Sequence, residues 1–227
     1  MDDQWHVALS PYLWLAGVHG SVGVLGRDAA VHASPADLLS NFRFGIMATV
    51  DARHNHIVTP VDIIWIRLGD DKSLPFPNIP ATSANVKLDE VILTPKLGGR
   101  VVDTPKFKVD ALAGVRYWHV AQNLSFSPSQ LGLNFSNTLN WVDPLVGGRI
   151  ETELSPKATL IVFGDVGGWG AGSQLEYQFG GALGFSLSRK WKLQAGYRYL
   201  DVDYTNGGNL LDVTMSGAVI GATYTFK

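Results

Sequence analysis

Ten segments of this chain alternate apolar and polar residues, and the links between them come in two kinds. The links after the second, fourth, sixth and eighth segments are only about two to four residues long. Those after the first, third and fifth are long, and the one after the ninth is moderate; only the link after the seventh does not stand out. A meander closed into a barrel, with tight turns at one rim and loops at the other, produces this sorting, and an even strand count returns the C-terminus to the N-terminal side. A soluble sandwich has no reason to sort its connections in this way.

Composition agrees with a wall that faces lipid. Charged residues make up 17% of the 227 positions and aromatics 11%, against roughly 25% charged residues in ordinary soluble domains. No run reaches the ~18 apolar residues of a transmembrane helix, so membrane character must reside in alternation. A net charge of -2 gives no electrostatic case for nucleic acid. The absence of cysteine excludes a disulfide framework, a thiolate metal site and a cysteine nucleophile. No basic and apolar leader precedes Trp5, and the expectation is a mature form whose signal peptide has been removed.

The first segment runs from about Trp5 to Ala16 and sets Trp5, Val7, Leu9, Leu13 and Leu15 against His6, Ser10, Tyr12 and Trp14. The link from Gly17 to about Asn41 reads as a long loop in which Ser34, Pro35 and Asp37 start a capped helical turn. Phe42 to Arg53 and Ile57 to Leu68 follow as a hairpin over His54-Asn55. The next connection holds Pro75, Pro77 and Pro80 and is expected to be irregular. Val86 to Val102 and Phe107 to Val120 make the fourth and fifth strands. After a third loop, with Ser127 to Leu131 as a second capped turn, come Asn140 to Leu154, Ala158 to Trp169 and Leu175 to Leu187. The last two strands form a hairpin from Trp191 to Phe226 around Asn206-Gly207-Gly208, a strong turn signal. The final strand must pair with the first to leave no open edge in lipid.

This is one domain, residues 1–227: an all-β, up-and-down antiparallel transmembrane β-barrel of about ten strands, eight being the smaller alternative, with short periplasmic turns and longer extracellular loops. Arg43, Asp51, Arg53, Asp62, Lys108, Asp110, Arg116, Asp143, Arg149, Glu151, Asp165, Glu176 and Arg198 are then expected to line the interior. A cation at the bilayer midplane on the lipid face costs about 2–4 kcal/mol, which drives such charges inward. Both signs occur in similar number, which suits either a paired network filling the lumen or a lining that guides small solutes, and the narrow bore favours the filled lumen. Trp5, Trp65, Trp118, Trp141, Trp169, Trp191 and Tyr224 fall near strand ends, where an aromatic girdle is expected.

Four stretches carry a family resemblance: P-Y-L-W-L-A-G at Pro11 to Gly17, D-L-L at Asp37 to Leu39, G-Y-R-Y-L-D-V-D-Y at Gly196 to Tyr204, and the closing D-V-T-M-S-G-A-V-I-G-A-T-Y-T-F. They resemble the small bacterial outer-membrane β-barrel proteins of the OmpA/OmpW-like kind. The resemblance implies a location in the outer membrane of a Gram-negative envelope, among outer-membrane lipid and lipopolysaccharide. It also implies an insertion signal at Tyr224 and Phe226 that is read by the outer-membrane assembly machinery. A porin-like monomer without cofactor is expected.

Candidate chemistry is sparse. Asp201, Asp203, Asn206 and Asp212 do not have the spacing of a calcium loop, and His54 with His56 lacks a third ligand, so no metal site is expected. His119 with Asp70, Asp71, Asp201 and Asp203 at the loop rim is the one constellation that would suit an envelope hydrolase. The expected function is non-enzymatic, a structural or surface barrel or a narrow pore for ions or small solutes. The alternatives are a soluble lipocalin-like barrel binding an apolar ligand and, third, that rim hydrolase.

Overall fold

In the computed structural model, residues 4–24, 27–69, 74–75, 83–127 and 135–226 are described. The wall of the barrel is made of β1 (His6–Val24), β3 (Phe42–His54), β4 (Ile57–Gly69), β6 (Ser83–Asp103) and β7 (Phe107–Ser127). It continues with β8 (Phe135–Ser155), β9 (Ala158–Gly168), β10 (Leu175–Ser186), β11 (Trp191–Asn206) and β12 (Asn209–Thr225). Each of these ten strands is antiparallel to its neighbours, and β12 pairs with β1, so the sheet closes on itself. The first and last strands meet from Ala8 opposite Thr225 to Gly23 opposite Leu210. Pairing of β12 with β1 joins the first and last strands, as crossing a bilayer with strands requires.

Local chemistry explains the turns. Asn55, at φ 52°, opens the two-residue turn between β3 and β4, and Gly207 and Gly208, at φ 57° and 82°, make the turn between β11 and β12. Left-handed positions of this kind suit Asn and Gly, and the resulting twist matches that of the flanking strands. The tight turns at 55–56, 104–106, 156–157 and 187–190 gather at the rim that also holds the start of β1 and the end of β12. By the rule that outer-membrane barrels place short turns on the periplasmic side, this is the periplasmic rim.

Three connections are more structured than the sequence suggests. The link after the first strand is not simply a loop. β1 continues to Val24 and folds back on β2 (Arg27–Ala33), and α1 (Pro35–Ser40) follows. The helix starts as its residues demand: Ser34 caps it, Pro35 enters at the first turn, and Asp37 returns a bond to the Ser34 amide. Pro75 lies in a two-residue strand, β5 (Leu74–Pro75), against β6, because a proline is tolerated at a sheet edge. Pro77 and Pro80 lie outside the described residues. Both β7 and β8 run well into what reads as loop, to Ser127 and from Phe135, whereas the capped turn expected at Ser127 to Leu131 lies outside the described residues past Ser127. At 21 residues each, β6, β7 and β8 exceed the ~9–11 needed to cross the bilayer and project beyond it.

The outer face is apolar. Leu13, Leu97, Val142, Phe179, Leu183 and Ile220 are each about half exposed or more and alternate with inward residues along their strands. Trp191 packs 5.0 Å from Tyr224, and Tyr224 packs 4.9 Å from Phe226, at the periplasmic rim. Toward the other rim, Phe44 lies edge-on to Trp65 at 5.0 Å, and Phe179 stacks on Tyr199 at 4.8 Å. An apolar band between aromatic girdles is the lipid-facing surface of a transmembrane barrel. Trp118 and Trp141 are exceptions to the girdle expected from sequence. They point inward, at 0% and 7% exposure, because the even positions of β7 and the odd positions of β8 form the inner face.

Candidate functional site

Since the outside is a solvent-like surface for lipid, any specific chemistry of the wall belongs to the lumen. Side chains from β1, β3, β4, β6, β7, β9, β10 and β11 meet across its middle. Arg116 on β7 is fully buried; its Nη2 donates to Asp165 Oδ1 on β9 at 2.8 Å, and its Nε donates to Thr94 Oγ1 on β6 at 3.1 Å. Its Nη1 stands 3.2 Å from Glu176 Oε1 on β10. Asp165 also accepts from Lys96 Nζ and from Gln178 Nε2, the latter at 2.6 Å. Gln178 in turn accepts from Arg198 Nη2 at 2.7 Å. Arg198 Nη1 reaches both Asp62 Oδ2 and the Tyr12 hydroxyl at 2.9 Å, and its guanidinium carbon lies 4.9 Å from the centre of the Trp14 ring. Tyr12 and Thr49 donate to the other oxygen of Asp62 at 2.8 and 2.9 Å.

Nearer the periplasmic rim a second group forms around Asp110. Arg100 Nε donates to its Oδ1 at 2.8 Å, and Arg149 Nη2 donates to its Oδ2 at 3.0 Å. Arg149 Nη1 also donates to Asp51 Oδ1 at 2.6 Å. Buried charges are tolerated only when paired and hydrogen-bonded, and the alternation of the strands brings acids and bases from eight strands into these two groups.

Above the network the lumen is apolar. Trp118 stacks on Trp141 with ring centres 5.3 Å apart, and Trp141 stacks on Tyr204 at 4.1 Å. Val120, Leu139, Leu200, Val202, Leu211 and Val213 are buried around them. Glu176 ties the two zones together, and Asp143 anchors the upper one. Trp118 Nε1 donates to Glu176 at 2.9 Å, whereas Asp143 accepts from Trp141 Nε1 at 2.8 Å and from the Ser173 amide and hydroxyl at 2.7 and 2.5 Å. Tryptophan is favoured here because its ring fills the bore while its single N–H satisfies a buried carboxylate.

The residues singled out from sequence do not all meet. Asp62, Asp110, Arg116, Asp143, Asp165, Glu176 and Arg198 lie in the networks just described, with Asp51 and Arg149 half-buried at their periplasmic edge. Lys108 faces Glu151 at 3.7 Å, and Lys192 approaches the same Glu151 at 3.8 Å, forming a looser group toward the mouth. Arg53 is half-buried near the end of β3. Arg43 departs from the expectation of an interior lining. A register shift between Phe42 and Phe44 puts it at an irregularity of β3, where it is exposed and its Nε contacts the Gly69 carbonyl at 3.4 Å. Lys96 and Arg100, missed from sequence, were legible as the even positions of a strand in which Leu93, Leu97 and Val101 are odd. Tyr12 and Trp14 shared the face of His6 and Ser10 in the sequence, whereas Trp118 and Trp141 were expected in the girdle, because an aromatic suits either face.

The rim constellation is not assembled among the described residues. His119 is on the outer face of β7, with Nδ1 2.7 Å from Asn140 Oδ1 of β8. Asp201 accepts from Thr214 Oγ1 at 2.5 Å on β11, three strands further round the barrel from β8. Asp70 and Asp71 lie outside the described residues. Tyr224 and Phe226 sit at the periplasmic rim, and the Phe226 amide donates to the Val7 carbonyl at 2.8 Å.

No family model matches the chain, and no curated protein sequence matches it. Solved structures do. The outer membrane protease OmpT from Escherichia coli is similar with a TM-score of 0.63 over 99% of this chain and 98% of that one, at 12% identity. The translocator domain of the autotransporter NalP from Neisseria meningitidis is similar with a TM-score of 0.52 over 98% and 89%, at 15% identity. At such identities the likeness is one of fold, and it agrees with the closed sheet, the apolar band and the girdles. This chain has the architecture of the bacterial outer-membrane β-barrel proteins.

Proposed function

We propose that the protein serves as a closed barrel of the outer membrane, with a structural and surface role and no catalytic activity. The observation that carries this reading is the filling of the bore: Arg116, Asp143, Glu176 and Trp118 are all at 0% exposure across its middle. An eight-stranded barrel is just wide enough to be filled by side chains, and ten strands add little room. A water-filled pore would leave these charges hydrated, as porins do. On this reading the apolar band sits against outer-membrane lipid and lipopolysaccharide, and the assembly machinery reads Tyr224 and Phe226 during insertion of a monomer. OmpT, whose fold the chain shares, is a protease, but the outward His119 with its Asn140 partner speaks against rim hydrolysis here.

The test is conductance. Purified protein is reconstituted into planar lipid bilayers and current is recorded at fixed voltage. No discrete steps above background are expected for the wild type, and steps are expected to appear when Trp118→Ala and Arg116→Ala are combined. Regular steps from the wild type would overturn the plugged reading and restore the narrow pore.

A further inference from the structure

Three of the four tight turns at the periplasmic rim carry a lysine at the same place in the hairpin. Lys106, Lys157 and Lys190 are the last residues before β7, β9 and β11 begin. The carbonyl of each accepts from the wall strand that follows its hairpin. Lys106 accepts from the Glu153 amide at 2.8 Å, Lys157 from the Ser186 amide at 2.8 Å and Lys190 from the Thr225 amide at 2.9 Å. That shared bond holds the three residues in one register, two strands apart around the rim. Neighbouring strands lie about 4.8 Å apart, so the lysines recur roughly every 10 Å. Arg189 adds a fourth cation, in the third of these turns. In the remaining turn His56 holds the equivalent position, its carbonyl accepting from the Arg100 amide at 2.7 Å. The charge is therefore confined to one arc of the rim, from β6 to β11.

This arc is not neutralised from within. Lys106, Lys157, Arg189 and Lys190 are exposed, and among the described residues none of them makes an ion pair. Lys108 and Lys192, one step inside the mouth, do face an acid, Glu151. The exposed acids beside the turns are Asp103 and Glu153, and Asp103 lies 3.7 Å from Arg100. Like charges held at about one screening length favour a counter-charge from outside the protein.

The lipid-facing surface beside the arc says what supplies it. Phe107, Leu154, Leu187, Trp191 and Phe226 are exposed and end the apolar band at this rim. Lys190 Nζ lies 6.0 Å from the centre of the Tyr224 ring, which belongs to the girdle. A lysine stem lies along apolar surface while its ammonium reaches the polar layer. At the edge of an aromatic girdle that layer is made of lipid headgroups.

We infer that this arc binds the headgroups of anionic phospholipids in the periplasmic leaflet. The inference rests on the transmembrane placement proposed above and adds to it a lipid class and a rim. Filling of the bore plays no part in it, so conductance and lipid selectivity fail separately.

The full chain is reconstituted into phosphatidylcholine bilayers holding a trace of spin-labelled phosphatidylglycerol or spin-labelled phosphatidylcholine. The fraction of each label immobilised at the protein is read by electron spin resonance. Phosphatidylglycerol is expected to be enriched about twofold, because the pull of each cation is diluted over a lipid shell of which only one arc is charged. Lys106→Gln, Lys157→Gln, Arg189→Gln and Lys190→Gln combined are expected to bring the two labels level. Salt at about 1 M, where the screening length is ~3 Å, is expected to do the same. Lys87→Gln, at an exposed position opposite Gly69 near the other rim, is expected to leave the enrichment in place. Equal labels in the wild type at low salt overturn the inference. So does an enrichment that survives the combined variant in protein that still shows the folded-barrel shift on unheated gels, or one that is lost with Lys87→Gln. The wild-type comparison and Lys87→Gln decide the matter even where the combined variant fails to fold.

Discussion

The two halves of the lumen solve the same problem with opposite chemistry. Toward the extracellular rim, Trp118, Trp141 and Tyr204 stack among aliphatic residues as in the core of a soluble protein. Toward the periplasm, Arg100, Arg116, Arg149, Arg198 and Lys96 are matched to carboxylates on facing strands. The difference follows from what surrounds each half. Strands that project beyond the bilayer can meet water on their outer face and bury an apolar interior. Within the bilayer the outer face must be apolar, so the alternating residues that face inward become the place for charge, and charge there must be paired. Dispersion and area hold the upper half, whereas hydrogen-bond geometry holds the lower.

That contrast can be broken first at the stack. Trp118→Ala removes a fully buried ring and leaves Glu176 without its indole donor, and a loss of about 3–5 kcal/mol is expected in guanidinium unfolding of the refolded protein. A loss below about 1 kcal/mol would mean that the upper half is not a packed core. The network is tested next with Arg116→Met, which strands charge on Asp165 and Glu176 and is expected to cost about 3 kcal/mol. Adding Glu176→Met to it is expected to restore most of that stability, because an apolar pair of similar volume replaces a desolvated ion pair at little net cost. Failure of this rescue would show that the network does more than fill the bore.

The smallest effect lies outside the barrel wall, at the start of α1. Hydrogen bonds from the Ser34 hydroxyl and amide hold the Asp37 carboxyl below the usual carboxylate range. A carboxyl with a depressed folded value contributes stability that is fully present above its unfolded value, near pH 4, and is lost as pH falls through the lower folded value. Amide exchange in 34–38 is therefore expected to accelerate relative to the barrel core on acidification through that window, and Asp37→Asn is expected to remove the pH dependence. Unchanged exchange in the wild type across the window would show that the cap is not what holds this segment.

How much of this was readable in advance depended on whether a residue has a preferred side. Asp62 and Asp165 are single acids in otherwise apolar strands, and the lipid penalty forces each inward, which is where both are found. The tight turns were equally plain, because Asn55 and Gly207–Gly208 occupy backbone conformations that few other residues accept. Trp118 and Trp141 share the parity of the inward Arg116 and Asp143, but tryptophan suits the girdle as well as a buried stack, and their places near the strand ends pointed to the girdle. The link after the first strand was misread as loop because β1 and β2 are rich in Gly and Ala, which give weak alternation. Arg43 was misplaced because a register irregularity has no signature in Phe42-Arg43-Phe44.

The sequence by itself determined the up-and-down order of about ten wall strands, the rim to which most turns belong and the sign of most inward groups. These are properties of one strand or one turn at a time, dictated by period-two alternation and by local backbone chemistry. Only the tertiary structure decided which acid meets which base, that the bore is closed by stacked tryptophans, and that Lys106, Lys157 and Lys190 share one register at the periplasmic rim. Those features depend on the stagger between strands that are far apart in the chain, and stagger is fixed only when the last strand closes on the first.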